Sequence, residues 1–284
     1  MIRAGLHRLL RRASARYIAG PELSDAKTLC QKLSLQGFST TLGFWDSGNE
    51  PPQLVAQQYI NSFDAAREQG TSCYVSVKLT GFGFDRELEQ TVLQLAAKKR
   101  IRVHFDSQSP AIADQIFSLL EERIRTAGNP QMLGCTLPGR WRRSIRDSET
   151  VVRLGLPVRV VKGQWEDVEG PAIDPREGFL KVIDCLAGRA CYVAVATHDP
   201  KLASQAFARL RETNTPCGLE LLLGLPSQHM LKLAAHLSVP VRFYVPYGHA
   251  WLPYALRQLK RNPRILIWIA RDLLASRTKS MSIS

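Results

Sequence analysis

The feature that most constrains this chain is a regular beat of short apolar segments set between amphipathic ones. The short segments lie at 38–45, 72–78, 101–106, 132–137, 157–161, 191–196, 217–223 and 239–245. They are rich in Val, Ile, Leu and aromatic residues and read as apolar on both faces, as parallel strands covered on both sides do. The stretches between them repeat apolar residues at three and four, the period of a helix with one buried face. Several begin at Asp or Ser and stop at Gly, as capped helices do. A strand followed by a helix, eight times over, predicts an α/β chain closed into a (β/α)8 barrel. Two helices are expected ahead of the first strand, and a last helix over about 251–275. No GxGxxG follows the first strand, which argues against an open dinucleotide-binding sheet. The 284 residues suit one barrel of about 250 residues, and no repeat or linker divides them. One domain over 1–284 is therefore expected.

The six cysteines are scattered without a CxxC pair, several of them in apolar runs. They read as reduced core residues of a cytoplasmic protein rather than metal ligands. No apolar run reaches about 18 residues, so no membrane span is expected. The first twenty residues are basic and amphipathic. They have the character of a transit peptide, of a membrane-surface helix, or of a helix packed on the barrel. The formal net charge of +13 is spread along the chain without aromatic interleaving or a recognisable nucleic-acid module. A basic face attracted to anionic lipid fits it as well as nucleic acid does, and so does a high-pI proteome.

In a barrel of this kind the site sits at the carboxyl ends of the strands. The expected strand ends carry Lys78, Asp106, Arg159 running into Lys162, and Thr197-His198-Asp199. Strand seven carries Glu220, and strand eight carries Arg242 and Tyr244. Ionisable groups gathered on one rim mark a candidate site, and their excess of cations suits a carboxylate or phosphate ligand. In the last helix Tyr254 and Arg257 are three apart and share a side. A tyrosine against an apolar ring and an arginine on a carboxylate would clamp a small amino acid.

The segments SVKLTGFG, RVHFDSQS, LPVRVVKGQW, VATHDPKLA and VRFYVPYGHAWLPYALRQL occur in that order. In these the chain resembles the proline dehydrogenase family, including the dehydrogenase barrel of proline utilisation A, from about residue 17 to 275. The resemblance implies a distorted (β/α)8 barrel with non-covalent FAD. It implies oxidation of L-proline to pyrroline-5-carboxylate, with electrons passed to a membrane quinone. Arg159 would then stand beside the flavin N5, with Lys162 and Gly163 further along the FAD. Thr197 and His198 would meet its pyrophosphate and adenosine side. Lys78 and Arg257 would bind the substrate carboxylate. Asp106, Tyr244 and Tyr254 would shape the proline pocket, with Val160 where the family often has leucine. In such a site the flavin supplies the redox chemistry and the protein aligns donor and acceptor.

Several positions depart from the family pattern. The paired arginines of the last helix read Arg257-Gln258 here, so the cofactor and carboxylate side has lost a charge. Pro138 stands where a flavin-contacting glutamine is usual, and Glu220 replaces a glutamine on strand seven. Trp165 stands for tyrosine, Gln108 for glutamate, and Arg261 for an acid of the last helix. These changes leave open a related imino acid, or a flavin barrel without catalysis. A barrel enzyme using Lys78 or Lys162 as a Schiff base is the alternative from other chemistry.

Overall fold

The computed structural model describes residues 18–167 and 170–249. Eight strands run in chain order around a closed barrel: β1 (Ser39–Phe44), β2 (Cys73–Val77), β3 (Val103–Phe105), β4 (Leu133–Pro138), β5 (Val158–Val161), β6 (Val193–Ala196), β7 (Cys217–Leu222) and β8 (Val241–Tyr247). Every neighbouring pair is parallel, and β8 closes on β1 with Thr41 opposite Tyr244. The expected (β/α)8 architecture is therefore present.

Helix α1 (Leu23–Leu35) precedes β1. Helices α2 (Pro52–Glu68), α3 (Arg86–Lys99), α4 (Ala113–Ala127), α5 (Arg143–Leu154), α6 (Pro175–Leu186), α7 (Pro200–Glu212) and α8 (Gln228–Leu237) follow β1 to β7 in turn. The other expected amino-terminal helix and the expected helix at 251–275 lie outside the described residues. Capping follows the sequence signals. Asp85 accepts hydrogen bonds from the backbone of Glu87 and Leu88, and Asp174 does the same for Arg176 and Glu177. These satisfy amide donors that the first helical turn leaves unpaired. Among the described residues all six cysteines are free, three buried and three partly so. No helix among those residues is long and apolar enough to cross a membrane.

The strands are two-faced, which corrects the expectation of apolar residues on both sides. Val75, Val77, Val103, Phe105, Leu137, Val158, Val160, Val193, Val195, Leu219, Leu221, Phe243 and Val245 all belong to the hydrophobic core shared with the helices. Alternate residues belong to a different layer: Thr41, Tyr74, Ser76, His104, Thr136, Arg159, Glu220 and Tyr244 hydrogen-bond to one another or to Asp106. Strand geometry turns successive side chains to opposite faces. The outward layer holds the barrel to its helices, each buried aliphatic or aromatic side chain contributing about 1.5–3 kcal/mol. The inward layer is polar and leads up to one rim.

Helix α5 starts at Arg143, in a polar first turn. The guanidinium of Arg143 is buried and pairs with Asp147 at 2.8 Å and Asp114 at 2.6 Å. A charge can be buried when it is paired in this way.

The loop after β4 and the first turn of α6 meet at two glycines. A Cβ on Gly178 would lie 1.8 Å from the Gly139 carbonyl oxygen, and one on Gly139 would lie 2.3 Å from the Phe179 nitrogen. Alanine within a helix is ordinarily favoured over glycine by about 0.5–1 kcal/mol. Here the clash is with backbone, so Gly178→Ala is expected to destabilise by about 1–3 kcal/mol, as overpacking does. Urea unfolding checks the sign: a midpoint above that of the parent would show that the two backbones separate without cost.

Candidate active site

A cavity of about 260 Å³ opens at the carboxyl ends of the strands. Its floor is Arg159, Asp106 and Glu220, with Thr136 beside them; its walls include Trp45, Tyr244, Val161, Gly163, Thr197, His198 and Leu222. Six of the expected site residues, Asp106, Arg159, Gly163, Thr197, His198 and Tyr244, line it together. Lys78 and Lys162 flank it without lining it, which disfavours a Schiff-base lysine at its centre. Tyr254, Arg257, Gln258 and Arg261 lie outside the described residues.

Arg159 is the centre of the arrangement. It is only 4% exposed, and a guanidinium cannot shed its charge. It therefore needs anions, and it has two. Its Nη1 lies 2.6 Å from Asp106 Oδ1, and its Nη2 lies 2.8 Å from Glu220 Oε1. Nη2 also donates to the Tyr74 hydroxyl at 3.2 Å. Its Nε is buried and has no hydrogen-bond partner among the described residues. Burial pulls its pKa down, but Glu220, Tyr74 and Asp106 outweigh that and hold it well above the ordinary arginine value.

The two carboxylates are tied in turn. Glu220 accepts from Thr41 Oγ1 and from the Tyr74 hydroxyl, both at 3.1 Å. Burial alone would raise its pKa, yet Arg159 and the hydrogen bonds hold it below the usual glutamate value. Asp106 accepts from Ser76 Oγ at 2.6 Å and from the Tyr244 hydroxyl at 2.8 Å. Tyr244 reaches across the mouth of the barrel to do this, with Arg159 5.2 Å from its ring centroid and the Trp45 indole N–H donating to its hydroxyl at 3.3 Å. Gly43 makes room for it, since a Cβ there would stand 2.2 Å from the tyrosine oxygen. Burial, with Asp106 adding to it, pushes the Tyr244 phenol well above its ordinary value, so it stays a hydrogen-bond donor.

Lys78 sits on the Trp45 side of the cavity. Its Nζ is 3.3 Å from Asp46 and 5.9 Å from the Trp45 ring centroid. Lys162 sits on the opposite side, half-buried, its pKa lowered by burial and by Arg176. His198 braces two loops. Its Nε2 accepts from the Leu222 amide at 2.9 Å, so its Nδ1 carries the proton and donates to the Pro226 carbonyl at 3.1 Å. With both nitrogens used, it meets a ligand through its ring. The Thr197 hydroxyl accepts from the Asp199 amide at 3.2 Å, and Asp199 caps α7.

The structure corrects three further points. Arg242 belongs to the amino end of β8, where it donates to the Thr40 and Ser72 carbonyls and stacks 4.2 Å over the Tyr74 ring. Val160 is buried in the outer core and does not line the cavity. The cavity floor is not a surplus of cations, because Asp106 and Glu220 both face Arg159. Among the departures, Gln108 ties the loop after β3 to Thr80, while Pro138 ends β4 opposite Val161. Sequence reasoning missed Trp45, Thr41, Tyr74, Ser76 and Thr136. In β-rich segments these types pass for ordinary strand formers, and only the alternation CYVSV and STTL hinted at a second face.

No family model matches the chain. It is 24% identical over 267 residues to proline dehydrogenase 2 of Bacillus subtilis (strain 168), covering 88% of this chain and 87% of that one. It is 23% identical over 278 residues to a proline dehydrogenase of Deinococcus radiodurans, covering 91% and 89%. Among solved structures, proline utilization A (PutA) from Bdellovibrio bacteriovorus superposes with a TM-score of 0.77 at 16% identity. PutA from Corynebacterium freiburgense does so with 0.74 at 16% identity. These alignments cover 88% and 96% of this chain, which spans about a third of either PutA chain, 32% and 33%. The resemblance to proline dehydrogenases read from the sequence is thus borne out, and the barrel fold is shared with PutA.

Replacing Arg159 by methionine would leave Glu220 buried without its cation. The expected loss of stability at neutral pH is about 3–5 kcal/mol. The pH dependence should also change sign. In the parent, Glu220 has a depressed pKa, so its contribution is present above the unfolded value and lost as pH falls through the folded one. In Arg159→Met burial dominates and raises that pKa, so the folded state binds the extra proton and stability increases as pH falls. The difference between variant and parent should narrow by up to about 1.4 kcal/mol per pH unit from pH ~7 to ~5. Chemical unfolding at several pH values checks this, and a gap that stays constant would show that Glu220 does not answer to Arg159.

Proposed function

We propose that this chain is an FAD-dependent oxidoreductase that oxidises L-proline to pyrroline-5-carboxylate, or a closely related cyclic imino acid to its corresponding imine. The observation that carries the reading is the buried Arg159 on the floor of the cavity, its Nε still without a partner among the described residues. It occupies the position where the family resemblance calls for an arginine beside the flavin N5. Similarity to proline dehydrogenases over nearly nine-tenths of the chain, 88%, supports the same activity.

The residues present fit the cofactor. Arg159 offers an unused buried donor, and Val161, Ala196, Leu221 and Leu222 add a largely apolar wall to the same cavity. An aromatic ring system bordered by one charged edge suits such a place. Arg159, Lys162, Gly163, Thr197 and His198 would hold FAD, with Gln258 completing that side from the last segment. When bound, FAD supplies the hydride acceptor. The chain's own residues do the rest. Lys78 and Arg257 fix the substrate carboxylate. Tyr244, held by Asp106, and Tyr254 border the imino-acid ring and exclude water. Arg159 favours negative charge that develops against it. The substrate amine must be neutral to release hydride, so activity rises with pH. Electrons pass on to a membrane quinone, and the basic amino-terminal stretch gives peripheral contact with an anionic inner membrane face while the chain itself is cytoplasmic. All 284 residues make one domain in this reading.

Denaturation should release FAD unmodified, and anaerobic addition of proline should bleach its absorbance. Protein that stays colourless after reconstitution with FAD overturns the reading. Lys78→Met and Arg257→Ala should each lower kcat/KM for proline about 30- to 1000-fold, the loss of one charged hydrogen bond worth about 2–4 kcal/mol. Prolinamide should be far less affected by either change. Equal losses on both substrates would show that these cations serve the fold and not the carboxylate.

A further inference from the structure

Glu220 is the least expected group in the cavity floor. Its carboxylate is 3% exposed, yet its hydrogen bonds do not require a charge. A glutamine in its place could accept from Thr41 and Arg159 through its oxygen and donate to the Tyr74 hydroxyl through its nitrogen. What the carboxylate alone supplies is a negative charge 2.8 Å from the Arg159 guanidinium, on a different nitrogen from the one Asp106 holds. At that depth a unit charge is weakly screened and acts well beyond its contact distance.

We infer that Glu220 is a positioning residue that sets the charge of the site: it anchors Arg159 from inside the barrel and offsets its positive charge toward whatever binds above. The inference rests on the FAD reading for its consequence, though not for its geometry. A group bound against Arg159 gains less from becoming negative than it would beside an arginine with one counter-ion. Reduction adds negative charge to a flavin ring system, so Glu220 holds the reduction potential down.

The surroundings of Glu220 do not reverse this sign. Arg159 on β5 faces it directly, with Asp106 after β3 beyond. Tyr74 on β2 donates to it and is flanked by Arg102 and Arg242, at 4.5 and 4.2 Å from its ring centroid. Arg242 also favours the charged form of Glu220, and Glu220 in turn disfavours ionisation of Tyr192 ahead of β6. His104 on β3 is kept neutral by burial and the neighbouring arginines. Whatever the total charge of this lumen, removing one carboxylate makes the potential at the cavity floor more positive.

The experiment compares FAD-loaded parent, Glu220→Gln and Glu220→Asp by anaerobic potentiometric titration. Glu220→Gln is expected to favour the reduced flavin at least tenfold, a midpoint about 30 mV more positive for a two-electron couple. Glu220→Asp keeps the charge and should remain closer to the parent. An unchanged or more negative midpoint in Glu220→Gln overturns the inference. So does an equal rise in both variants, which would point to packing rather than charge. A second readout needs no flavin. With 13C-labelled glutamate, the Glu220 carboxyl resonance, assigned by its loss in Glu220→Asp, should report an ionised group from about pH 8 to about pH 5. A protonated carboxyl at neutral pH overturns the inference even if Glu220→Gln fails to fold. Failure of the parent to bind FAD would sink the proposed function, while the carboxyl titration would still decide the charge of Glu220.

Discussion

A guanidinium that cannot lose its proton, buried in the lumen of a barrel, organises most of what surrounds it. Arg159 must be paired, and the pairs it finds are Asp106 and Glu220. Each of these must then fill its remaining oxygens. Glu220 does so with Thr41 and Tyr74, Asp106 with Ser76 and Tyr244. One charge on β5 thereby recruits side chains from β1, β2, β7 and β8 and from the end of β3. Barrels of this class usually fill the lumen with branched aliphatic side chains. Here that packing gives way to a hydrogen-bonded lattice, which fixes one arrangement because partial satisfaction of buried polar groups is costly.

The lattice is tolerable because the other face of every strand is apolar. Val158 and Val160 flank Arg159 in sequence and point away from it, into the layer shared with the helices. The outer layer secures the barrel and the inner layer is released for chemistry. The same division explains why the loops above the rim can be tightly fixed. Gly139 and Arg140 after β4 donate to the carbonyls of Val161, which ends β5, and of Lys162 after it, at 2.7 and 3.1 Å. His198 joins the loop after β6 to the end of β7 and to Pro226. A site made of loops is held at the precision of the strands beneath it.

This division also marks how far the sequence could be read. Strand positions were legible because short runs rich in Val, Ile, Leu and aromatic residues stand between amphipathic segments, and 217–223 already contained Cys217–Leu222. The rim residues were legible because carboxyl ends of strands are known once the strands are. The lumen was not, because threonine, tyrosine and serine in a strand look the same whether they face a helix or an arginine. Arg242 was placed at the rim although it stands second in β8, a position that belongs to the amino end. The burial of Arg143 was not legible, because it depends on pairing with both Asp147 one turn on and Asp114 on another helix.

The balance of charge around the cavity bears on where a ligand's own anions can go. Arg159 is matched by two carboxylates, and Lys78 is within 3.3 Å of Asp46. A substrate carboxylate arriving among the described residues must therefore compete with Asp46 for Lys78. Among the described residues Lys78 is the one cation on that side, and Asp46 already matches it. On the far side Lys162 has no carboxylate within ion-pair distance among the described residues, and it lies close enough to His198 to disfavour that ring's protonated form. A desolvated cation without a close partner is what a phosphate needs and what a buried carboxylate network does not supply. The cavity is thus electrically divided. Among the described residues its floor is compensated from within, its Lys162 side keeps a cation without a close carboxylate, and on its Lys78 side the cation is already matched by Asp46.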